Sequence, residues 1–225
     1  MTEPNEIEYF FLTLKRNGLT NKINIDVIVP KREYNSDIVD YYKLAFSSND
    51  PYIQYISFYH IIEYFYDEVF KRKMIKDLTD KITQPDFSYK NEDQVFGLAT
   101  FIKNRIKMNV NEGQGNETES LKYVLKEYIN IEELKNKLDK NDLKFYSENI
   151  VSFSKGPTIS WRDEPGIYTN ITKRIYFTRN ALIHSKSGKK DKMYKPYRDE
   201  MLLQKEIPLV RVIAEMIIIN SSKVI

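Results

Sequence analysis

The chain has 225 residues, of which 41% are hydrophobic and 13% aromatic, enough for one large folded domain or one domain with a small appendage. The net charge is only +3, from 35 basic and 32 acidic residues, so a polyanion-binding site must be a local patch rather than the whole surface. The absence of cysteine excludes disulfides, thiolate catalysis and thiolate metal sites.

The N-terminal residues do not resemble a targeting signal. Their sequence, Met-Thr-Glu-Pro-Asn-Glu, is acidic and lacks the cationic and apolar regions of a signal peptide. No apolar run in the chain reaches membrane-spanning length. A chain without cysteine also suits a reducing compartment. We therefore expect a soluble, cytoplasmic protein with no membrane partner.

The first predicted element is a β-hairpin. Residues 7–14 and 23–29 are short β-branched and aromatic runs, and a polar segment with an Asn-Gly pair separates them. A lone hairpin is barely stable in water. This one either docks on a helical body or belongs to a larger upstream β domain, and the sequence leaves both open. Residues 1–35 are interpreted as a hairpin appendage, and residues 36–225 as a helical domain.

The apolar period becomes helical at Ser36. After a break at residues 47–50, Pro51 suits the first position of a second helix, with Asp50 as its cap, which is predicted to run unbroken to about residue 82. This helix is apolar almost all round through Phe70, so other helices must cover most of its surface. Its polar positions follow one narrow stripe, formed by Ser57, His60, Tyr64, Asp67 and Lys71.

The rest of the chain also predicts helices. Residues 83–150 are highly charged and are interpreted as a helical insertion packed on one side, with shorter helices at about 92–108, 117–130, 131–139 and 141–150. A non-helical stretch follows at 151–168. A helix is then expected from about 170 to 188, where Gly188 can end it, and a last helix from about 197 to 220. The predicted fold is mainly α, an antiparallel helical bundle.

The sequence gives no support for a metal or a cofactor. His60 and His184 are the only histidines, and neither belongs to a cluster with ligand spacing. Among seven glycines there is no phosphate-binding loop and no dinucleotide fingerprint. We expect no bound metal and no cofactor.

One run stands out in the helix expected at 170–188. Residues 173–186 read Lys-Arg-Ile-Tyr-Phe-Thr-Arg-Asn-Ala-Leu-Ile-His-Ser-Lys. This resembles the Arg-x4-6-His signature of the HEPN superfamily, in its frequent form with Asn directly after the Arg. A long aromatic helix precedes the run, as in many HEPN proteins, so the resemblance covers about residues 36–82 and 168–220. It implies a HEPN-like helical bundle and a metal-independent endoribonuclease with catalytic Arg179, Asn180 and His184.

Helix geometry bears on how these residues cooperate. Asn180 and His184 are four apart and share a face, whereas Arg179 and His184 lie about 140° apart around the axis. Either the long Arg179 side chain sweeps across, or a second copy of the helix completes the site. The resemblance favours the second, because HEPN proteins commonly dimerise so that two motifs line one cleft.

The chemistry also favours two copies. Attack of the 2′-hydroxyl on the phosphate needs a base, an acid and a cation for the charged intermediate, and one imidazole cannot be base and acid at once. Two copies of His184 could divide these roles, while Arg179 stabilises the phosphate and Asn180 orients the phosphate or the imidazole. Glu63 is a further candidate, because a carboxylate on an apolar stripe should find a cation. That cation is either Arg179 or another basic residue, and His60 is interpreted as a packed or solvated histidine.

The segment after the motif is basic and aromatic, which suits single-stranded or looped RNA. A solvated loop is the other interpretation. The candidate RNA-binding residues are Lys186, Lys189, Lys190, Lys192, Tyr194, Lys195 and Arg198.

The resemblance therefore predicts a homodimeric endoribonuclease that cleaves RNA by 2′-hydroxyl attack at a composite dimer site. It implies a role in toxin or antiphage defence, with an antitoxin or defence-system protein as a partner besides RNA. The alternative is a catalytically inactive HEPN module that binds RNA or a protein and supplies a dimer interface. A third hypothesis is a helical structural domain in which the motif is a coincidence.

Overall fold

The computed structural model describes residues 32–110, 115–163, 165–183 and 193–224, without the side chains of 105–110 and 115–116. The expected hairpin at 7–14 and 23–29 lies outside the described residues. Within them the protein is mainly helical, as predicted. In chain order the elements are β1 (Arg32–Glu33), α1 (Ser36–Ser47), α2 (Pro51–Glu63), α3 (Tyr66–Ile82), α4 (Glu92–Val110), α5 (Gly115–Tyr128), α6 (Ile131–Lys137), α7 (Lys140–Glu148), α8 (Ile167–Ile183), α9 (Glu200–Ser221) and β2 (Lys223–Val224).

The two short strands join the two ends of the described chain. β1 pairs antiparallel with β2, with Arg32 opposite Val224 and Glu33 opposite Lys223. The segment that leads into α1 is therefore held against the end of α9. The Arg32 guanidinium adds a hydrogen bond to the Ser222 hydroxyl at 3.3 Å.

The start of α2 follows local chemistry. Pro51 occupies the first turn, and the Asp50 side chain accepts a hydrogen bond from the Tyr52 backbone N–H at 2.8 Å. Proline lacks the N–H that would be unsatisfied at this position, and aspartate satisfies the next one. The predicted cap is confirmed.

The single long helix predicted for residues 51–82 is wrong, because the chain forms two helices that separate at Tyr64 and Phe65. The Tyr64 N–H still bonds the His60 carbonyl, but the Phe65 N–H bonds the Ile62 carbonyl, so the turn tightens. On either side of the break, α2 packs against α1 and α9, whereas α3 packs against α5. Two sets of neighbours cause the break, and no glycine or proline marks it in the sequence.

The core is one contiguous cluster built around α2 and α9, with α1 and α8 also packed on α2. α5 packs against α3, α8 and α9. Its Leu121, Val124 and Leu125 are fully buried. The segment interpreted as an insertion on one side, residues 83–150, thus supplies a helix of the core.

A buried ion pair holds the non-helical segment after α7 against α8 and α9. Arg174 donates to both Glu206 carboxylate oxygens at 2.7 Å, and its third nitrogen donates to the carbonyls of Asn149 and Pro157 at 2.7 and 2.9 Å. Its guanidinium also lies over the Tyr146 ring, 5.0 Å from the centroid. These bonds satisfy the buried charges and fix the position of α8.

Tyr146 also satisfies two backbone groups at a break in the hydrogen-bond pattern of α9. Pro208 lies within this helix, where a proline lacks a backbone N–H and its ring displaces the preceding turn. The Tyr146 hydroxyl accepts from the Leu209 N–H at 3.1 Å and donates to the Lys205 carbonyl at 2.9 Å. It therefore stands between two groups that would bond each other in a regular helix.

We expect Tyr146→Phe to lower the free energy of unfolding by about 1–3 kcal/mol, because it keeps the ring and leaves two backbone groups without a partner. Tyr168→Phe is the matched control, since the Tyr168 hydroxyl makes a part-buried hydrogen bond to one backbone group of the described residues, the Ile129 carbonyl. Chemical denaturation of both variants measures the difference. Equal losses in the two variants would contradict the role assigned to the Tyr146 hydroxyl.

Candidate functional site

The Arg-Asn-x-x-x-His motif begins near the C-terminal end of α8. Arg179 and Asn180 fall in its last turns, and both are partly buried. α8 ends at Ile183 among the described residues, and His184 is the next residue in the sequence, outside the described range. The expected helix end at Gly188 lies outside it too. Arg179 and Asn180 are thus the two polar motif residues within the described range.

Arg179 is held by residues from three helices. Its Nη2 donates to Glu63 Oε1 of α2 at 3.1 Å, its Nη1 donates to Asn180 Oδ1 at 3.1 Å, and Nη1 also pairs with Glu117 Oε2 of α5 at 3.5 Å. The guanidinium lies over the Tyr59 ring, 5.2 Å from its centroid. Of the two kinds of partner considered for Glu63, the structure shows Arg179. We name this group the Arg179 cluster: Tyr59, His60, Glu63, Glu117, Tyr176, Arg179 and Asn180.

Glu63 connects two basic groups in the cluster. Its Oε2 lies 3.1 Å from His60 Nδ1, while its Oε1 accepts from Arg179. The hydrogen bond with His60 is the largest influence that lowers the pKa of the Glu63 carboxyl, and Arg179 lowers it further, against the effect of partial burial. The carboxylate is therefore ionised at neutral pH and can orient both the imidazole and the guanidinium.

Tyrosines form the buried side of the cluster. Tyr66 donates its hydroxyl hydrogen to the Tyr59 hydroxyl at 2.8 Å, and burial raises the pKa of both phenols. Burial also raises the pKa of Tyr176, which forms hydrogen bonds with Asn180 and Glu117. These phenols stay neutral at physiological pH, so they support the cluster as hydrogen-bonding groups.

Two carboxylates face the one guanidinium of Arg179, and they are not equivalent. The Glu63 contact is a hydrogen bond, whereas the Glu117 contact is longer and its side chain is 35% exposed. A phosphate that approaches Arg179 can therefore replace Glu117 and leave the Glu63 bond intact. Sequence reasoning missed Glu117, because nothing in the spacing of a first-turn glutamate connects it with a motif so far along the chain.

The candidate RNA-binding residues are only partly within the described range. Lys186, Lys189, Lys190 and Lys192 lie outside it. The Tyr194 backbone N–H donates to the Ala181 carbonyl at 3.0 Å, so this segment meets the end of α8. The Tyr194 ring is partly buried near Phe153 and Tyr52, with centroid distances of 5.5 and 6.3 Å. Tyr194 is thus packed against the fold.

The basic segment ends in a tight turn. Asp199 accepts from the Lys195 backbone N–H at 2.8 Å and from two Arg198 nitrogens at 2.8 and 2.7 Å. Between them, Tyr197 has a φ of 67° and is 94% exposed. A tyrosine in the left-handed region is uncommon. The aromatic ring open to a base at this end of the segment is therefore that of Tyr197.

No group of three or more histidine, aspartate or glutamate side chains within the described ranges has the arrangement of a metal site. Among those same residues, no helix has the length and apolar character needed to cross a bilayer.

Glu63→Gln should lower the free energy of unfolding by about 1 kcal/mol at neutral pH, a modest effect because the Glu63 side chain is partly exposed. A carboxyl whose pKa is lowered on folding stabilises the protein above its unfolded pKa, and this contribution is lost as pH falls through its folded pKa. The difference between the variant and the wild type should therefore shrink at acid pH. Urea denaturation at neutral and acid pH measures it, and a constant difference would contradict an ionised Glu63.

The fold and the cluster define a helical protein with an arginine–carboxylate site at the end of one helix. The sequence model of one family, described as Methylamine utilization protein MauJ, matches residues 38–219. Because the match spans most of the chain, the protein belongs to the MauJ family. Searches of curated proteins and of solved structures find no match to it.

Proposed function

We propose that the protein is a HEPN-type endoribonuclease that cleaves RNA without a metal, by attack of a 2′-hydroxyl on the adjacent phosphate. The observation that carries this proposal is the Arg179–Glu63 bond: α2 orients the motif arginine, which lies five residues before His184 in the sequence, at a partly exposed cluster. Such a preorganised guanidinium stabilises the charge that develops on a phosphate under attack.

Each residue of the site has a separate role in the proposed reaction. Arg179 binds the non-bridging phosphate oxygens, with Glu63 on its other nitrogen. Asn180, already bonded to Arg179, orients the phosphate or the imidazole. His184 exchanges a proton with the reacting oxygens. Lys195 and the basic residues after His184 bind neighbouring phosphates, and the substrate is single-stranded or looped RNA.

The oligomer and the cellular role rest on the resemblance to HEPN proteins. In this proposal the protein is a cytoplasmic homodimer in which two motifs line one cleft, and it acts in toxin or antiphage defence. An antitoxin or defence-system protein is then its partner. Expression of the wild type should slow cell growth, and His184→Ala should relieve that effect.

A second candidate function is an inactive HEPN module that binds RNA or a partner protein. The observation that favours it is the engagement of Arg179 with two carboxylates, with only 13% of its side chain exposed. An arginine in such surroundings can serve as a structural ion pair alone. Binding of RNA without cleavage would support this candidate.

The test is cleavage of an RNA oligonucleotide by the wild-type protein in the presence of a chelator. The matched control is the same oligonucleotide with 2′-deoxy residues, which lack the attacking group. We expect cleavage of the RNA and none of the deoxy control. A requirement for an added divalent cation, or cleavage of the deoxy oligonucleotide, would overturn the mechanism.

A further inference from the structure

Cleavage by 2′-hydroxyl attack needs one group to accept a proton and another to donate one, and a single imidazole cannot do both in one step. The chain contains two histidines, His60 and His184. We propose that His60 is a second acid–base catalyst of the site, beside Arg179 and in addition to His184. This inference rests on the proposed ribonuclease function.

The first support is the position of His60 in the Arg179 cluster. One carboxylate, that of Glu63, contacts His60 Nδ1 through one oxygen and Arg179 Nη2 through the other, each at 3.1 Å. The imidazole and the guanidinium are therefore fixed relative to each other by a single bridging group.

The second support is the tautomer of the neutral His60 ring and the exposure of its side chain. A carboxylate accepts a hydrogen bond, so the neutral ring carries its hydrogen on Nδ1 and leaves Nε2 without one. Carboxylates orient imidazoles for proton transfer in this way. The His60 side chain is 37% exposed, so a substrate can reach it while Glu63 holds it.

The surroundings of His60 are mixed in charge. On its own helix it faces Glu63. From α1 the Tyr41 ring lies 5.0 Å away, centroid to centroid, and covers one face. Glu63 also pairs with Arg179 of α8, and Arg179 in turn pairs with Glu117 of α5. A phosphate bound to Arg179 would thus stand next to the imidazole.

Two imidazoles account for both proton transfers of the reaction. The neutral one accepts the proton of the 2′-hydroxyl as the 2′-oxygen forms its bond to phosphorus. The protonated one donates its proton to the 5′-oxygen as the phosphorus–oxygen bond to that oxygen breaks. The products are a 2′,3′-cyclic phosphate and a 5′-hydroxyl, and the two histidines have exchanged protonation states.

The first arm of the test is the pH dependence of single-turnover RNA cleavage with a chelator present. The wild type should give a bell-shaped profile, and His60→Gln should lose about 10²-fold or more in rate together with one limb of the bell. Lys43→Ala, an exposed change on α1 outside the cluster, should leave the profile unchanged. A His60→Gln protein that is folded and keeps both limbs would overturn the proposal, since it would give His60 a structural role.

The second arm needs no catalysis. In a protein without a histidine tag, only two histidines give ring signals in NMR spectra, and His60→Gln assigns them. A non-cleavable oligonucleotide with 2′-deoxy residues should shift the His60 signals and change their pH titration. If the wild type does not cleave RNA, the ribonuclease function fails, and this arm alone decides on His60. Signals of His60 that ignore the oligonucleotide would overturn its place in the site.

Discussion

Arg174→Met should lower the free energy of unfolding by about 3–5 kcal/mol, the largest loss of stability expected from a single change. The substitution removes four hydrogen bonds and leaves the Glu206 carboxylate, which is 2% exposed, without a cation. An unpaired buried charge is far more costly than the loss of an exposed ion pair. Urea denaturation at neutral pH measures the effect.

The control for this prediction is the double variant Arg174→Met with Glu206→Leu. Replacing both partners of a buried pair by apolar residues of similar size is often close to neutral, so the double variant should recover most of the lost stability. Burial raises the pKa of Glu206 against the opposing effect of Arg174. Without Arg174 this pKa rises further.

A carboxyl with a raised folded pKa destabilises the protein above that pKa, and the penalty disappears as pH falls toward its unfolded pKa. The deficit of Arg174→Met should therefore be smaller at acid pH than at neutral pH. A deficit below about 1 kcal/mol, or one independent of pH, would contradict a buried ionised pair.

His184→Ala should slow chelator-resistant RNA cleavage by about 10²–10⁴-fold, the range expected when a general acid or base is lost. Arg179→Ala should slow it by about 10²–10³-fold, because a cationic donor to the developing charge disappears. Arg179→Lys should fall between the wild type and Arg179→Ala, since lysine keeps the charge but cannot bond Glu63 and a phosphate with a planar fork.

Lys173→Ala is the matched control for these variants, because Lys173 is an exposed basic residue on the same helix. Its rate should stay within about threefold of the wild type, as expected for a surface substitution away from the site. Single-turnover rates, with thermal unfolding of each variant, separate lost chemistry from lost folding. Wild-type rates in both Arg179→Ala and His184→Ala would contradict the proposed site.

Structural features that depend only on neighbouring residues could be predicted from the sequence, whereas features that depend on tertiary packing could not. The cap at Asp50 and the start at Pro51 depend on neighbouring residues alone, and both are confirmed. The break at Tyr64 and Phe65 depends on which helices cover each half, and no residue there signals it. The mainly helical fold was predictable from periodicity, whereas the packing of α5 into the core was not.

In the candidate site, too, the sequence indicates some contacts and leaves others to be decided by packing. The Glu63–Arg179 bond was one of two alternatives, because an apolar stripe shows only that a carboxylate needs a cation. The run Lys173-Arg174 gives no sign that Lys173 is exposed and Arg174 buried. Arg174 and Arg179 are five apart, which places them about 140° around α8. One binds Glu206 of α9 and the other Glu63 of α2, so one helix carries a structural arginine and a candidate catalytic one.

The most direct test of the central claim is the chemistry of the cleaved ends. RNA cut by the wild-type protein with a chelator present should carry a 2′,3′-cyclic phosphate on the upstream fragment and a 5′-hydroxyl on the downstream fragment, and His184→Ala should form these ends at least about 10²-fold more slowly. Fragments with 5′-phosphate ends, or cyclic phosphate ends formed equally fast by His184→Ala, would contradict it.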